Sequence, residues 1–274
     1  MTEMAHIVRA CPEIYARNLL PNQRKALSDI TTCRTETLGG QLWRCRHCRD
    51  YRYSYHSCKN RHCPKCGNDT ATAWLEKQRA LLTPTRHFLA TATLPEELRA
   101  LAWKNQKQVY GLMMRCAAQA MQKLARDPKY VGAEVGIIAV LQTWTRDLRY
   151  HPHVHFIITG GGLADDGKTW LPAQRDYLMP QKAVAKIFRA KLRDALEKIG
   201  LFEQVPPRVW RKDWVVDIRP VGKGEAALKY LAPYIFRVAI SNRRIVQLKN
   251  GQVTFRYKES GSKQWQTQTL PVQK

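Results

Sequence analysis

"YHPHVHFIITGGGL", residues 150–163, decides how the chain is read. Three of the eight histidines fall at alternate positions within five residues, an apolar run follows, and three glycines close it. Alternation is the period of a β-strand, so His151, His153 and His155 share one face while Pro152, Val154 and Phe156 take the other. A lone imidazole on such a face is usually a satisfied core residue. A row of them differs, because adjacent imidazoles repel when protonated and converge on a metal when neutral. Two imidazoles are too few to close a structural zinc site, so further ligands and open positions are expected. Gln142 is the expected third ligand, brought opposite His153 or His155 by a hairpin turning near 146–149. Its plain alternative is an ordinary polar strand residue, and His87 and His151 compete with it.

Working outward, "VGIIAVLQTW", 135–144, is the preceding strand, and "RHFLATATL", 86–94, is another. Between them, 95–127 reads as a long helical region opened by Pro95. A helix over 181–200 ends at Gly200, "WVVDI" is a strand at 214–218, and a helix over 224–236 is interrupted by Pro233. The tail "RIVQLKNGQVTFRYK" carries Asn-Gly between alternating runs, which predicts a hairpin. Residues 5–31 form a helical lead-in broken at Pro21. The fold class is α+β, an antiparallel sheet packed with helices and preceded by a small cysteine-rich module. The expected division is 1–69, a connecting helix over 70–85, and a catalytic domain over 86–274 that includes the basic hairpin.

The 274 residues carry 46 Lys+Arg against 22 Asp+Glu, a net charge of +24. An excess of this size calls for a polyanion, and nucleic acid is the expected partner rather than an anionic membrane. No apolar run approaches the ~20 residues of a membrane span. The start, "MTEMAHIVRACPEIYARN", lacks the basic-then-apolar order of a signal peptide, so a cytoplasmic protein is expected. Disulfides are disfavoured there, and the eight cysteines need another explanation.

Six of the eight lie within a loop-like stretch, 33–67. Cys45-x-x-Cys48 and Cys63-x-x-Cys66, separated by fourteen residues, are expected to form one structural four-thiolate zinc site. Cys33, Cys58 and His62 lie nearby as a second site or as support. Arg44, Arg46, Arg61 and Lys65, interleaved with Tyr51, Tyr53 and Tyr55, suit nucleic acid, including unpaired bases. Farther on, "KYLAPYIF" sets Tyr230 and Tyr234 four apart on one helical face. The plain reading is an aromatic core stripe. The chemical one is a pair of phenol nucleophiles, which act only on a strongly activated target such as a metal-bound phosphodiester. Lys229, Arg237, Arg243 and Arg244 surround them as DNA-binding candidates.

His-hydrophobic-His on a strand, followed by Tyr-x-x-x-Tyr on a helix, resembles the HUH endonucleases. "CRTETLGG", "CKNRHCPKC", "TWTRDLRYHPHVHFIITGGG" and "KYLAPYIFRVAISNRRI" resemble more closely the rolling-circle insertion-sequence transposases of the group called IS ninety-one. The resemblance implies His153 and His155 as ligands of a catalytic Mg²⁺ or Mn²⁺, with a metal-binding side chain at the position of Gln142. It implies Tyr230 and Tyr234 as nucleophiles on single-stranded DNA, a 5′-phosphotyrosine link, and a nucleoid-associated bacterial setting. Similar transposases continue past "QWQTQTLPVQK", where this sequence stops, so a shortened copy is expected. Two other readings stay open: a plasmid or phage rolling-circle replication initiator, and a non-catalytic zinc-dependent DNA-binding protein.

Overall fold

The histidine stretch is a central strand of the largest sheet in the computed structural model, which describes residues 2–174, 176–235, 239–259 and 264–273, with the side chains of 67–70 and 233–235 excepted. In chain order the helices are α1 (Met4–Arg9), α2 (Pro21–Thr32), α3 (Gly67–Arg79), α4 (Arg99–Lys104), α5 (Gln106–Ala125), α6 (Gln181–Lys198) and α7 (Glu225–Ile235). The strands are β1 (Gly40–Arg44), β2 (Tyr51–Tyr55), β3 (His87–Thr93), β4 (Glu134–Trp144), β5 (Tyr150–Leu163), β6 (Trp170–Pro172), β7 (Val216–Pro220), β8 (Ile245–Lys249), β9 (Gln252–Lys258) and β10 (Trp265–Pro271). The architecture is the expected mixture of helices and antiparallel sheet.

The large sheet runs β4-β5-β3-β7, with β6 added to β5, and every pairing is antiparallel. Its two faces follow from the alternation along β5. Val154, Phe156 and Ile158 look into the main core, where α5 contributes Leu112, Met113 and Met121 and α6 contributes Val184, Phe188 and Leu192. On the opposite face Leu89, Val140 and Ile157 pack against Ala227, Leu228 and Leu231 of α7. The glycines that end the stretch have a steric reason. A Cβ on Gly160 would lie 2.5 Å from the carbonyl oxygen of Arg86, so only glycine permits that approach.

Several elements depart from the sequence reading. The helical region 95–127 is divided at Asn105, whose backbone leaves the helical range (φ −124°, ψ 44°) and whose amide donates back to the Leu101 carbonyl. Pro233 does not end α7, which runs to Ile235. The stretch 33–67 is not all loop: β1 and β2 pair within it. The tail hairpin β8–β9 gains a third strand, β10.

The chain divides into two compact units, Met1–Ala73 with Arg146–Arg149 and Phe236–Lys274, and Trp74–Thr145 with Tyr150–Ile235. The expected division instead puts the C-terminal hairpin with the catalytic domain, over 86–274. The reason for the observed grouping is apolar: Ile7 of α1 is buried with Ile240, Ile245 and Phe255, joining the first helix to the last sheet. Among the described residues, no helix is long and apolar enough to cross a membrane.

Candidate metal centres

In the first unit the sulfurs of Cys33, Cys58, Cys63 and Cys66 all lie within 4.8 Å of one another. Cys33 follows the end of α2, Cys58 follows β2, and the Cys66 N–H donates to the Cys63 carbonyl at 3.1 Å in a tight turn. The Cys33 and Cys66 sulfurs are 3.3 Å apart and those of Cys58 and Cys66 3.7 Å. Zn–S bonds of about 2.3 Å in a tetrahedron put sulfurs about 3.8 Å apart, so this set matches a closed zinc site. Ala5 and Ile30 are buried against it. Burial pushes the Cys58 thiol up to about 11 and raises Cys63 as well, which a divalent cation would reverse by stabilising thiolates.

This grouping differs from the expected pairing of the two C-x-x-C knuckles, sharing only Cys63 and Cys66 with it. Cys45 and Cys48 are exposed at the tip of the β1–β2 ribbon, where the Cys45 N–H donates to the Asp50 carbonyl at 2.8 Å. A five-residue strand at about 3.3 Å per residue carries that tip roughly 16 Å from the ribbon's base, out of reach of Cys63 and Cys66. Cys33 and Cys58, at the base, take their places. His62 is exposed and does not belong to the four-residue group. Of the basic candidates, Arg44, Arg46, Arg61 and Arg243 are exposed, whereas Lys65 is held by Glu3 at 2.7 Å. Arg244 is buried, donates to the carbonyls of Arg256 and Arg146, and lies over the Phe255 ring. Arg237 lies outside the described residues.

In the second unit, antiparallel register sets His155 opposite Val140 on one side and Thr91 on the other, with Asp217 next across from Thr91. Gln142 lies opposite His153, and the two imidazole rings are 4.9 Å apart. The Gln142 side-chain oxygen sits 3.2 Å from His155 Nε2, while its amide nitrogen donates to the Trp144 carbonyl. His153 Nδ1 is 2.8 Å from the His151 carbonyl oxygen. A carbonyl only accepts, so Nδ1 carries the proton and Nε2 of neutral His153 keeps its lone pair. His155 Nδ1 meets the Thr91 hydroxyl at 3.0 Å, a partner able to donate or accept. With the Nδ1–H tautomer, His155 Nε2 and the Gln142 oxygen are two acceptors facing each other, an arrangement a cation satisfies.

Burial, aided by the charges of His153 and Arg219, holds His155 down to about 4, and burial also lowers His153. Both are therefore neutral at pH 7, the form that binds metal. Of the competing ligands, His151 Nδ1 accepts from Arg99 at 2.8 Å, and His87 lies opposite Thr159, four residues along β3 from Thr91. From α7 the ring of Tyr230, 43% exposed, stands edge-on to the His155 ring with centroids 6.3 Å apart. Tyr234 falls in the last turn of α7, but its side chain lies outside those described. Lys229 is exposed and paired with Glu225 at 3.1 Å. Sequence reasoning missed Thr91 and Arg99. Only the strand register would have pointed to Thr91, and nothing local marks Arg99.

A row of imidazoles beside an exposed helical tyrosine, in a chain that also carries a four-thiolate cluster, fits a DNA-processing protein of the transposase class. Comparison with known proteins agrees: the family described as "Putative transposase" matches residues 136–274, and "Transposase zinc-binding domain" matches 6–94. The chain belongs to this transposase family. It is 36% identical over 279 residues to the "Putative transposase y4qJ" of Sinorhizobium fredii, covering 94% of this chain and 70% of that protein. It is 27% identical over 265 residues to the "Transposase for insertion sequence element IS801" of Pseudomonas savastanoi pv. phaseolicola, covering 90% of this chain and 63% of that one. No solved structure matches.

Proposed function

We propose that the second unit nicks and rejoins single-stranded DNA in rolling-circle-type transposition, using Tyr230 and Tyr234 as nucleophiles beside a divalent-metal site of the HUH endonuclease type. The observation that carries this reading is the approach of the Tyr230 ring to the His153–His155–Gln142 face. Two imidazole nitrogens and one amide oxygen fit Mn²⁺ at least as well as Mg²⁺, which favours all-oxygen surroundings. His153, His155 and Gln142 would hold the ion, which when bound would neutralise charge on the scissile phosphate.

The rest of the reaction falls to the chain's own groups. The Tyr230 oxygen attacks phosphorus, the bond from phosphorus to the 3′ oxygen breaks, and the phenolic proton passes to solvent while the departing 3′ oxygen takes one up. The product is a 5′-phosphotyrosine and a free 3′-hydroxyl. Attack by an incoming 3′-hydroxyl reverses the step, so strands are rejoined without an external energy source. Tyr234 gives a second strand its own nucleophile while the first is held. The thiol cluster keeps zinc as a structural ion, apart from this chemistry.

The test is a cutting assay on single-stranded DNA flanking the coding sequence, with Mn²⁺, reading the covalent adduct on a denaturing gel. Wild type forms an adduct, and the Tyr230→Phe/Tyr234→Phe double variant forms none. The nucleophile assignment fails if cutting survives in the double variant. The enzymatic reading fails if wild type binds the DNA yet neither cuts it nor forms an adduct.

A further inference from the structure

The β1–β2 ribbon exposes nearly all of its side chains. Its register sets Tyr55 opposite Gly40, Tyr53 opposite Leu42 and Tyr51 opposite Arg44, so three tyrosines lie along one face. They are 64% (Tyr51), 51% (Tyr53) and 42% (Tyr55) exposed, which rules out a core stripe. The rings are nevertheless ordered. Tyr53 and Tyr55 meet edge to face with centroids 4.5 Å apart, and the Arg44 guanidinium lies 5.6 Å over the Tyr51 ring. A Cβ on Gly40 would come within 2.8 Å of the Tyr53 ring, so the glycine makes room for it.

The ribbon is held at both ends. At its base the His56 N–H donates to the Gly39 carbonyl and the Arg34 N–H to the His56 carbonyl, beside Cys33 and Cys58 of the thiol cluster. At its tip the Cys45 N–H closes the turn onto Asp50. Residues 40–55 contain Arg44, Arg46, Arg49 and Arg52 against the single acid Asp50. Flat exposed rings and guanidinium groups on a rigid support match a ligand with flat apolar faces joined by phosphates. In a duplex those faces are already covered by neighbouring bases, whereas an unpaired strand offers them.

We infer that the Tyr51–Tyr53–Tyr55 face of this ribbon is a base-stacking platform that binds unpaired DNA. The inference shares DNA as partner with the nicking reading but does not depend on cutting. It assigns a second strand-binding surface in the other unit. The competing reading is a ribbon inserted in the major groove of duplex DNA, which reads base edges by hydrogen bonds. The tyrosine face offers ring faces and only one arginine for that task.

The experiment measures binding of the full-length zinc-loaded protein to a fluorescent single-stranded oligothymidylate and to a hairpin duplex by anisotropy. The triple variant Tyr51→Leu/Tyr53→Leu/Tyr55→Leu is expected to weaken single-strand binding at least about tenfold, with duplex binding little changed. The matching Tyr→Phe triple keeps the rings and is expected to bind as wild type. Zinc content reports folding; should the Leu triple lose zinc, the single Tyr51→Leu carries the same test with a smaller loss, about threefold. Unchanged oligothymidylate binding in a zinc-loaded Leu variant overturns the inference. So does an equal loss for duplex and single strand, which favours the groove reading. Adduct formation with Mn²⁺ is read separately on the same preparations, so failure of the nicking reading is told apart from failure of this one.

Discussion

The thiol cluster and the histidine face both gather side chains of metal-binding type, yet they are built oppositely. Four sulfurs close on one another at the base of a ribbon, packed by Ala5 and Ile30, and leave no position for a reactant. The histidine face gathers three donors on the side of the sheet that α7 covers, with a half-exposed tyrosine beside them. Burial also acts differently at the two. It raises the thiols Cys58 and Cys63 so that only a cation makes them thiolates, and it lowers His153 and His155 so that they are neutral ligands already. A closed soft set holds a fold; the mixed set, on the function proposed, leaves positions for substrate.

The contrast breaks most visibly at the thiols. Cys63→Ser is expected to remove zinc and unfold the first unit, a loss on the order of 10 kcal/mol in metal-linked stability, whereas Cys45→Ser leaves zinc content and melting unchanged. Metal analysis paired with thermal melts decides this, and equal zinc loss in both variants would restore the two-knuckle pairing. At the histidine face the reverse holds: His155→Ala should lower single-strand cutting by about 10³-fold or more while shifting the melting temperature little. Adduct yield and circular dichroism on the same preparations test it.

Acid gives a third contrast. His155 is held at about 4 in the fold against 6.5 for the free side chain. Below pH 6.5 the unfolded chain takes up a proton that the folded one refuses, so stability is full above 6.5 and falls as pH drops towards 4. The loss is on the order of 3 kcal/mol. Urea melts without added Mn²⁺ should show that slope, and His155→Gln should flatten it. The smallest effect is expected at Thr91, whose hydroxyl holds His155 Nδ1. Thr91→Val should weaken Mn²⁺ binding about 10–100-fold, and Thr91→Ser should restore it. Equal Mn²⁺ affinity in the Val variant, read by calorimetry, would remove Thr91 from a positioning role.

Period and spacing were legible to different degrees. Alternation located β5, its buried face and the histidine row, because two-residue periodicity survives any tertiary context. The Gln142 register followed from hairpin geometry alone, and the structure brings its oxygen to His155. The cysteines were misgrouped because C-x-x-C spacing reports a local turn and says nothing of where the chain travels between turns. A ribbon with every strand residue but Gly40 exposed gives no hydrophobic signal, so β1 and β2 read as loop and their effect on distance was lost. Arg244 was misread for a related reason. Its charge is visible in the sequence, but one of the carbonyls that accept from it, that of Arg146, lies 98 residues away along the chain.

The union of Ile7 with Ile245 and Phe255 bears on biosynthesis. The four thiols span only residues 33–66, so a metal can tie that knot while most of the chain is still unmade. The apolar side of α1 must wait for β8 and β9, which follow it in the chain only after the whole of the second unit, before it is covered. The first unit thus cannot be completed until the second has been made. Translation that stalls before β9 would release a chain with a finished metal knot and a sticky first helix, a natural target for chaperones.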